Sequence, residues 1–257
     1  MKSVLQKIWQ ALPAEIRMEI VLCGFLLVIF GIIQIPSLFA HPLVLSHPPE
    51  KAWQQIPISE KEIIHGDTSK KQVIFTFDAG GSDASAQEIL QVLAKHHVTG
   101  TFFMTGKFIE ANPQTVKDIV AAGSEVFNHT YDHPYLTTLD EASITDELSK
   151  MNATLKATAD IESGPLFRPP YGDIDSRVIA AAYKAGYEAV YWTVDARDWM
   201  EPSVTADEVK SNILSNISPG TIYLMHVGDS ITGSILDEVF TDIEAKGYKI
   251  VSLTQGL

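Results

Sequence analysis

Val73-Ile74-Phe75-Thr76-Phe77-Asp78-Ala79-Gly80-Gly81 is the stretch on which the reading of this 257-residue chain turns. Its first five residues are β-branched or aromatic and suit a pleated, buried strand, and Asp78 with the two glycines ends that strand in a turn. Downstream, helical stretches alternate with short β-rich runs: helices over 84–95, 114–122, 139–159, 176–185, 205–217 and 235–246, and strands over 101–104, 125–128, 189–194, 221–225 and 249–253, with one more just before Arg168. About seven such strand and helix units fit one α/β domain, placed at 72–257. Several polar clusters directly follow strands, and a parallel barrel would gather them at one face. An open doubly wound sheet is the competing fold, but no G-x-G-x-x-G follows any strand.

Upstream, residues 20–40 carry no charge and are apolar almost throughout. That is the length of a membrane-spanning helix, and only Gly24, Gly31 and Gln34 interrupt its inner part, where a buried soluble helix would keep a polar face. Lys2, Lys7 and Arg17 precede the span and the next basic residue is Lys51, which places residues 1–19 in the cytoplasm and the remainder outside the membrane. The run is long for a signal peptide, so an uncleaved single-pass anchor is expected, with cleavage near Ala40 as the alternative. Residues 41–71 contain Pro42, Pro48, Pro49 and Pro57 and read as a tether.

Nineteen basic residues against thirty-two acidic ones give a formal charge of -13. A nucleic-acid partner is excluded on that balance, because polyphosphate binding needs a basic stripe. The single Cys23 rules out a disulfide framework and a CxxC metal site, which leaves His and carboxylate as metal ligands.

Four further clusters follow strands. His129 and His133 are four apart, a spacing at which one helical turn points both imidazoles the same way; two surface histidines near a turn fit the spacing equally well. Asp78 sits where a strand's C-terminal mouth would place a general base, and Ser82 or Asp83 can cap the next helix in its stead. Arg168-Pro169-Pro170-Tyr171-Gly172 is a rigid turn whose Arg can grip a carboxylate. Asp195-Ala196-Arg197-Asp198-Trp199 and Leu224-Met225-His226 end two more strands, and a His beside a carboxylate is more readily held protonated as a proton donor.

Together with Thr76-Phe77-Asp78-Ala79-Gly80, Gly100-Thr101-Phe102-Phe103 and His129-Thr130-Tyr131-Asp132-His133, these motifs occur in the order and spacing of the polysaccharide deacetylases. From about Gln72 to Leu253 the chain resembles that NodB-homology family, carbohydrate esterase family 4. The resemblance implies a distorted (β/α) barrel and metal-assisted hydrolysis of N-acetyl groups on a polysaccharide. By position it implies Asp78 as general base, Arg168 as its orienter, His129 and His133 as ligands of a divalent metal such as zinc, and the Tyr171 N–H as an oxyanion donor. It implies Trp199 and Leu224 as the lining of an acetyl pocket, and His226 paired with Asp198 as general acid.

In one place the chain departs from the family. A second Asp, the third metal ligand, usually follows the base, and here that position is Ala79. Asp83, a water or Asp78 itself would have to replace it, or activity is lost. The expected function is a membrane-tethered deacetylase of a cell-envelope glycan such as peptidoglycan. The alternatives are a non-catalytic glycan-binding protein of the same fold and an amidohydrolase on a small cyclic amide.

Overall fold

The computed structural model describes residues 58–257. The expected membrane segment at 20–40 lies outside the described residues, and among those described no helix is long and apolar enough to cross a membrane.

Among the described residues nine strands form one sheet, and every pairing in it is parallel. In chain order they are β1 (Glu62–Ile63), β2 (Gln72–Ala79), β3 (Thr101–Met104), β4 (Glu125–Asn128), β5 (Leu166–Phe167), β6 (Glu188–Val190), β7 (Val194–Asp195), β8 (Ile222–His226) and β9 (Lys249–Val251). Their order across the sheet is β1-β6-β5-β4-β3-β2-β8-β7, and β9 joins the N-terminal half of β2. The helices are α1 (Ala86–Lys95), α2 (Gly106–Ala111), α3 (Pro113–Ala121), α4 (Glu141–Ala159), α5 (Ser176–Lys184), α6 (Ala206–Ser215), α7 (Ser230–Ala245) and α8 (Leu253–Gly256).

The sheet is curled into a half-barrel by the stretch expected as one strand at 189–194. Its first part, β6, pairs with β5, and its last part, β7, pairs with β8. Between them Tyr191 N donates to Ile63 O and Thr193 N to Ile222 O, at 2.7 and 2.9 Å. β6, next to the edge strand β1, and β7, at the other edge, are thus neighbours in sequence, which forces the intervening strands to curve.

Side-chain alternation along β2 separates two layers. Val73, Phe75, Phe77 and Ala79 enter the large cluster shared with the helices, together with Ile89, Phe108, Leu236 and Phe240. Ile74 joins Phe103, Phe127, Leu166, Val190, Ile222 and Leu253 in a second cluster inside the curl. By the same period Thr76 and Asp78 continue the inner face toward the C-terminal mouth, and Leu224 and His226 do so on β8. Registry brings these residues side by side, since Thr76 pairs with Leu224 and Asp78 with His226.

Besides that split, other features differ from expectation, the last strand ending at Val251 with a short helix after it among them. Part of the stretch read as tether is woven into the domain: β1 pairs with β6, and Gly66 N and Asp67 N donate to Gly220 O and Gly256 O at 2.8 and 2.7 Å. Helix α2 was not anticipated because it has only six residues. Thr105 caps it by accepting from Phe108 N at 3.0 Å, and its first residue must be glycine, since a Cβ at Gly106 would lie 2.1 Å from the Tyr131 ring.

Candidate active site

Asp78 is the last inward-facing residue of β2 and is buried. Arg168, fully buried after β5, donates from Nη1 to Asp78 Oδ1 at 2.7 Å and to Thr76 Oγ1 at 2.9 Å, while Nη2 donates to Tyr191 O at 3.0 Å. The contact with Asp78 is single, through Nη1, and with Nε donating to Val190 O at 3.4 Å the guanidinium holds four partners at once instead of forking onto one carboxylate. Its Cζ lies over Phe103, 4.2 Å from the ring centroid, and 5.8 Å from that of Trp192. Burial pushes the Asp78 carboxyl up, but Arg168, followed by His129 and His226, outweighs it and holds the group below the usual carboxylate range. Asp78 is therefore an ionised carboxylate at neutral pH.

His129 and His133 do converge, though not by a helical turn. Thr130 and His133 both take left-handed backbone conformations, with φ of 67° and 61°, and fold the loop after β4 back on itself. Asn128 Oδ1 accepts from Thr130 N at 2.8 Å, and Glu147 Oε2 on α4 accepts from Tyr131 N and Asp132 N at 2.9 and 2.8 Å. The two Nε2 atoms end 3.2 Å apart.

That spacing fits a shared ion, because two nitrogens bound to one tetrahedral zinc at ~2.0–2.1 Å stand about 3.3 Å apart. The protonation fits as well. His129 Nδ1 lies 2.8 Å from Arg168 O, an acceptor, so Nδ1 carries the proton and Nε2 keeps its lone pair. Burial pulls the pKa of His129 down against the charge of Asp78, and burial together with His129 lowers His133 to about 4, so both rings are neutral. A third protein ligand is not supplied from position 79, since a methyl group carries no donor. Asp83 accepts from Thr115 Oγ1 at 2.6 Å and is turned toward α3. The carboxylate oxygen that does reach the pair is Asp78 Oδ2, 3.5 Å from His129 Nε2.

On the other side of Asp78, His226 ends β8. Its Nδ1 donates to Asp198 Oδ1 at 2.9 Å and its backbone N to Asp198 Oδ2 at 2.6 Å. Asp198 is fully buried and also accepts from Thr232 Oγ1 at 2.5 Å and Trp199 N at 3.1 Å. Asp198, His226 and Asp229 bring possible ligand atoms within 4.8 Å of one another. With four donors already on its two oxygens, however, Asp198 serves as the hydrogen-bond partner of an imidazolium and not as a metal ligand. Burial lowers the His226 pKa, but the hydrogen bond and charge of Asp198, then Asp78 and Asp229, prevail and lift it to about 9. An anionic acceptor and a cationic donor of protons thus stand on paired residues of adjacent strands.

The remaining expected residues surround this pair. Tyr171 sits in the 3-10 turn Pro170–Gly172 with φ 59°, and its N–H has no acceptor among the described residues. Leu224 is buried two residues before His226 on the same face of β8. Trp199 is exposed and anchored by its indole N–H to Asp195 Oδ2 at 3.1 Å. Sequence reasoning missed Thr76, Asn128, Glu147 and Thr232. Thr76 and Asn128 lie inside or beside quoted motifs and carry a polar group at an inward or strand-end position, which was a usable signal. Glu147 and Thr232 sit on helices with no local mark of their role.

Residues 65–190 match the polysaccharide deacetylase family. The chain is 32% identical over 213 residues to the peptidoglycan-N-acetylmuramic acid deacetylase PdaA of Bacillus subtilis, a match covering 81% of each protein. The solved structure of that B. subtilis protein superposes with a TM-score of 0.74 over 77% of this chain and 85% of the other, at 31% identity. A peptidoglycan-N-acetylglucosamine deacetylase of Bacillus cereus is 35% identical over 193 residues, covering 73% of this chain and 69% of that protein. A family 4 pseudoenzyme from Bacillus anthracis superposes with a TM-score of 0.73 at 34% identity, over 77% of this chain and 69% of that one. Extended similarity of sequence and of backbone, over most of each protein, places the chain in the polysaccharide deacetylase family, the family 4 carbohydrate esterases, which are hydrolases of the C–N bond in N-acetyl groups.

Proposed function

We propose that this chain is a membrane-tethered, extracytoplasmic deacetylase that removes N-acetyl groups from a cell-envelope glycan such as peptidoglycan, with assistance from a divalent metal, zinc in the first instance. The observation that carries this reading is the register pair Asp78 and His226, an ionised carboxylate beside an imidazole whose pKa is raised to about 9. The peptidoglycan-deacetylating relatives support the choice of substrate, and the uncharged run at 20–40 behind Lys2, Lys7 and Arg17 supports the tether.

His129 and His133 would hold the ion, which when bound polarises the acetamide carbonyl and acidifies a water. Asp78 takes a proton from the attacking water as its oxygen bonds to the carbonyl carbon. The Tyr171 N–H would donate to the oxygen that gains charge. His226 then gives its Nε2 proton to the sugar nitrogen as the C–N bond breaks, releasing acetate and the free amine, and Asp198 stabilises the imidazolium before transfer.

A second reading rests on Ala79 and on the pseudoenzyme relative: a chain with two histidine ligands retains the cleft for glycan binding alone. Acetate release from peptidoglycan and from chitooligosaccharides, with and without added zinc, separates the two. Release that depends on metal supports the deacetylase. Glycan binding without release at any metal concentration overturns it in favour of the binder.

A further inference from the structure

Tyr135 and Tyr171 are large aromatic residues left 55% and 58% exposed, and their rings are stacked on one another with centroids 4.3 Å apart and planes 17° from parallel. The edge of His133 meets Tyr171 at 4.5 Å. We propose that this stacked pair is a platform for a pyranose ring of the glycan chain, one sugar removed from the residue that loses its acetyl group. The proposal rests on the deacetylase reading for the identity of the glycan.

The pair is held in place by other residues. Tyr135 follows β4 and Tyr171 follows β5, and Asp173 locks the two loops together by accepting from Thr137 N at 2.8 Å and from Thr137 Oγ1 at 2.9 Å. Arg177 on α5 adds a hydrogen bond to Thr137 O at 2.8 Å and another to Leu139 O. Tyr171 itself is kept at φ 59°, a conformation that costs a non-glycine residue and persists only where the surroundings impose it. These restraints hold two rings out in water, where neither contributes to a core. Exposed apolar surface rimmed by polar groups is characteristic of a binding groove.

Location selects the occupant. The platform abuts His133, one of the two imidazoles proposed to hold the ion, and includes Tyr171, whose N–H is the proposed donor to the carbonyl oxygen. In sheet order it lies on the β4 and β5 side of the Asp78–His226 pair, and the exposed Trp199 lies on the β7 side. A polymer threaded past the reacting acetamide therefore meets an aromatic face on either side. The C–H face of a pyranose is flat and apolar enough to pack on such a surface, while its hydroxyls stay in water. A bare tyrosine pair has no charge with which to select a phosphate or a cation.

The test uses the full chain, its Tyr135→Ala and Tyr135→Phe variants, and β-1,4-linked N-acetylglucosamine oligomers alongside the N-acetylated monosaccharide. Binding is titrated in the presence of chelator, where turnover does not interfere, and KM is taken from acetate release. Tyr135→Ala is expected to weaken oligomer binding and raise oligomer KM by roughly three- to tenfold, the size of an aromatic stacking contact. The monosaccharide should respond less, and Tyr135→Phe, which keeps the ring, should recover most of the oligomer affinity. Equal affinity and KM for wild type and Tyr135→Ala at every chain length overturns the platform and leaves the deacetylase reading standing. Length-dependent binding that Tyr135→Ala weakens, with no acetate released by the wild type, supports the platform and overturns the deacetylase reading. Should Tyr135→Ala fail to fold, loss of oligomer affinity in Tyr135→Leu, with circular dichroism unchanged, supports the platform, and retention overturns it.

Discussion

At His226 two effects oppose each other: burial favours the neutral ring and the buried Asp198 favours the charged one. The second prevails, so the ring stays protonated up to about pH 9, and activity should fall as pH rises through that value. On the acid side the Asp78 carboxyl is held below the usual carboxylate range, so activity should persist until pH falls beneath that range or until the histidine pair protonates and releases its ion. Asp198→Asn keeps the shape but not the charge, and it should move the alkaline limb of the pH-rate profile toward the ordinary His value of about 6.5. An unmoved limb would assign the alkaline transition to another group. The same pair links stability to pH: its contribution is complete below the unfolded value of about 6.5 and is lost as pH rises through about 9. Asp78→Asn and His226→Ala should each lower turnover by roughly 10²- to 10⁴-fold if both transfer protons in the transition state, as measured by acetate release.

Elements, not single residues, aim the two histidines. The loop after β4 is pinned by Glu147 on α4, which holds the backbone N–H groups of Tyr131 and Asp132. Glu147→Ala should weaken metal binding by about 10- to 100-fold, the usual cost of losing an outer support of a ligand, as read by titration calorimetry. Unchanged affinity would show that Asn128 and Thr130 suffice. Helix α2 sets the opposite wall through the close approach of Gly106 to Tyr131. Gly106→Ala should cost about 1–3 kcal/mol of stability in denaturant unfolding by overpacking that contact. At the end of β2 the buried Ala79 precedes Gly80, where a Cβ would stand 3.9 Å from the His133 ring. Ala79 itself lies in the helix-side cluster, so Ala79→Asp should lower the Tm of metal-free protein, through a buried unpaired carboxylate, and should raise it above wild type on zinc addition if the strand end turns the new side chain to the ion. A zinc-independent Tm would mean that the new carboxylate does not reach the ion.

Over the described domain, the curled parallel sheet collects residues from the ends of five strands, β2, β4, β5, β7 and β8, and the loops after them, and the proposed tether decides which side of the membrane they serve. Protease added to intact cells should degrade the domain beyond residue 57 if the positive residues ahead of the span fix the N-terminus inside. Degradation only after lysis would reverse the proposed orientation. Chelation followed by zinc addition should abolish and restore acetate release, since an ion held by two imidazoles and at most one shared carboxylate is bound less tightly than one with three dedicated ligands. Full activity under chelation would remove the metal from the reaction.

The local pattern of residues fixes what depends on near neighbours. β3 at Thr101–Met104 and β4 at Glu125–Asn128 coincide with the strands expected from their apolar, β-rich runs, and α4, α5 and α6 lie within the expected helical stretches. The order of the motifs also points to Asp78, His129, His133, Arg168, Asp198 and His226 as site residues. Tertiary structure decided the rest, because it depends on groups far apart in the chain. Arg168 meets Asp78 and Thr76 across 90 and 92 residues, and Thr232 reaches Asp198 across 34. The extended run 188–195 divides into β6 and β7 because its two halves satisfy their backbone groups on different strands, a choice no local preference encodes. The histidines meet through two left-handed residues in a loop whose backbone Asn128 and Glu147 hold, where spacing alone suggested a helical turn. Side-chain alternation and capping are carried by adjacent residues and are therefore legible in the sequence; buried charges and backbone groups find their partners only when the chain closes on itself.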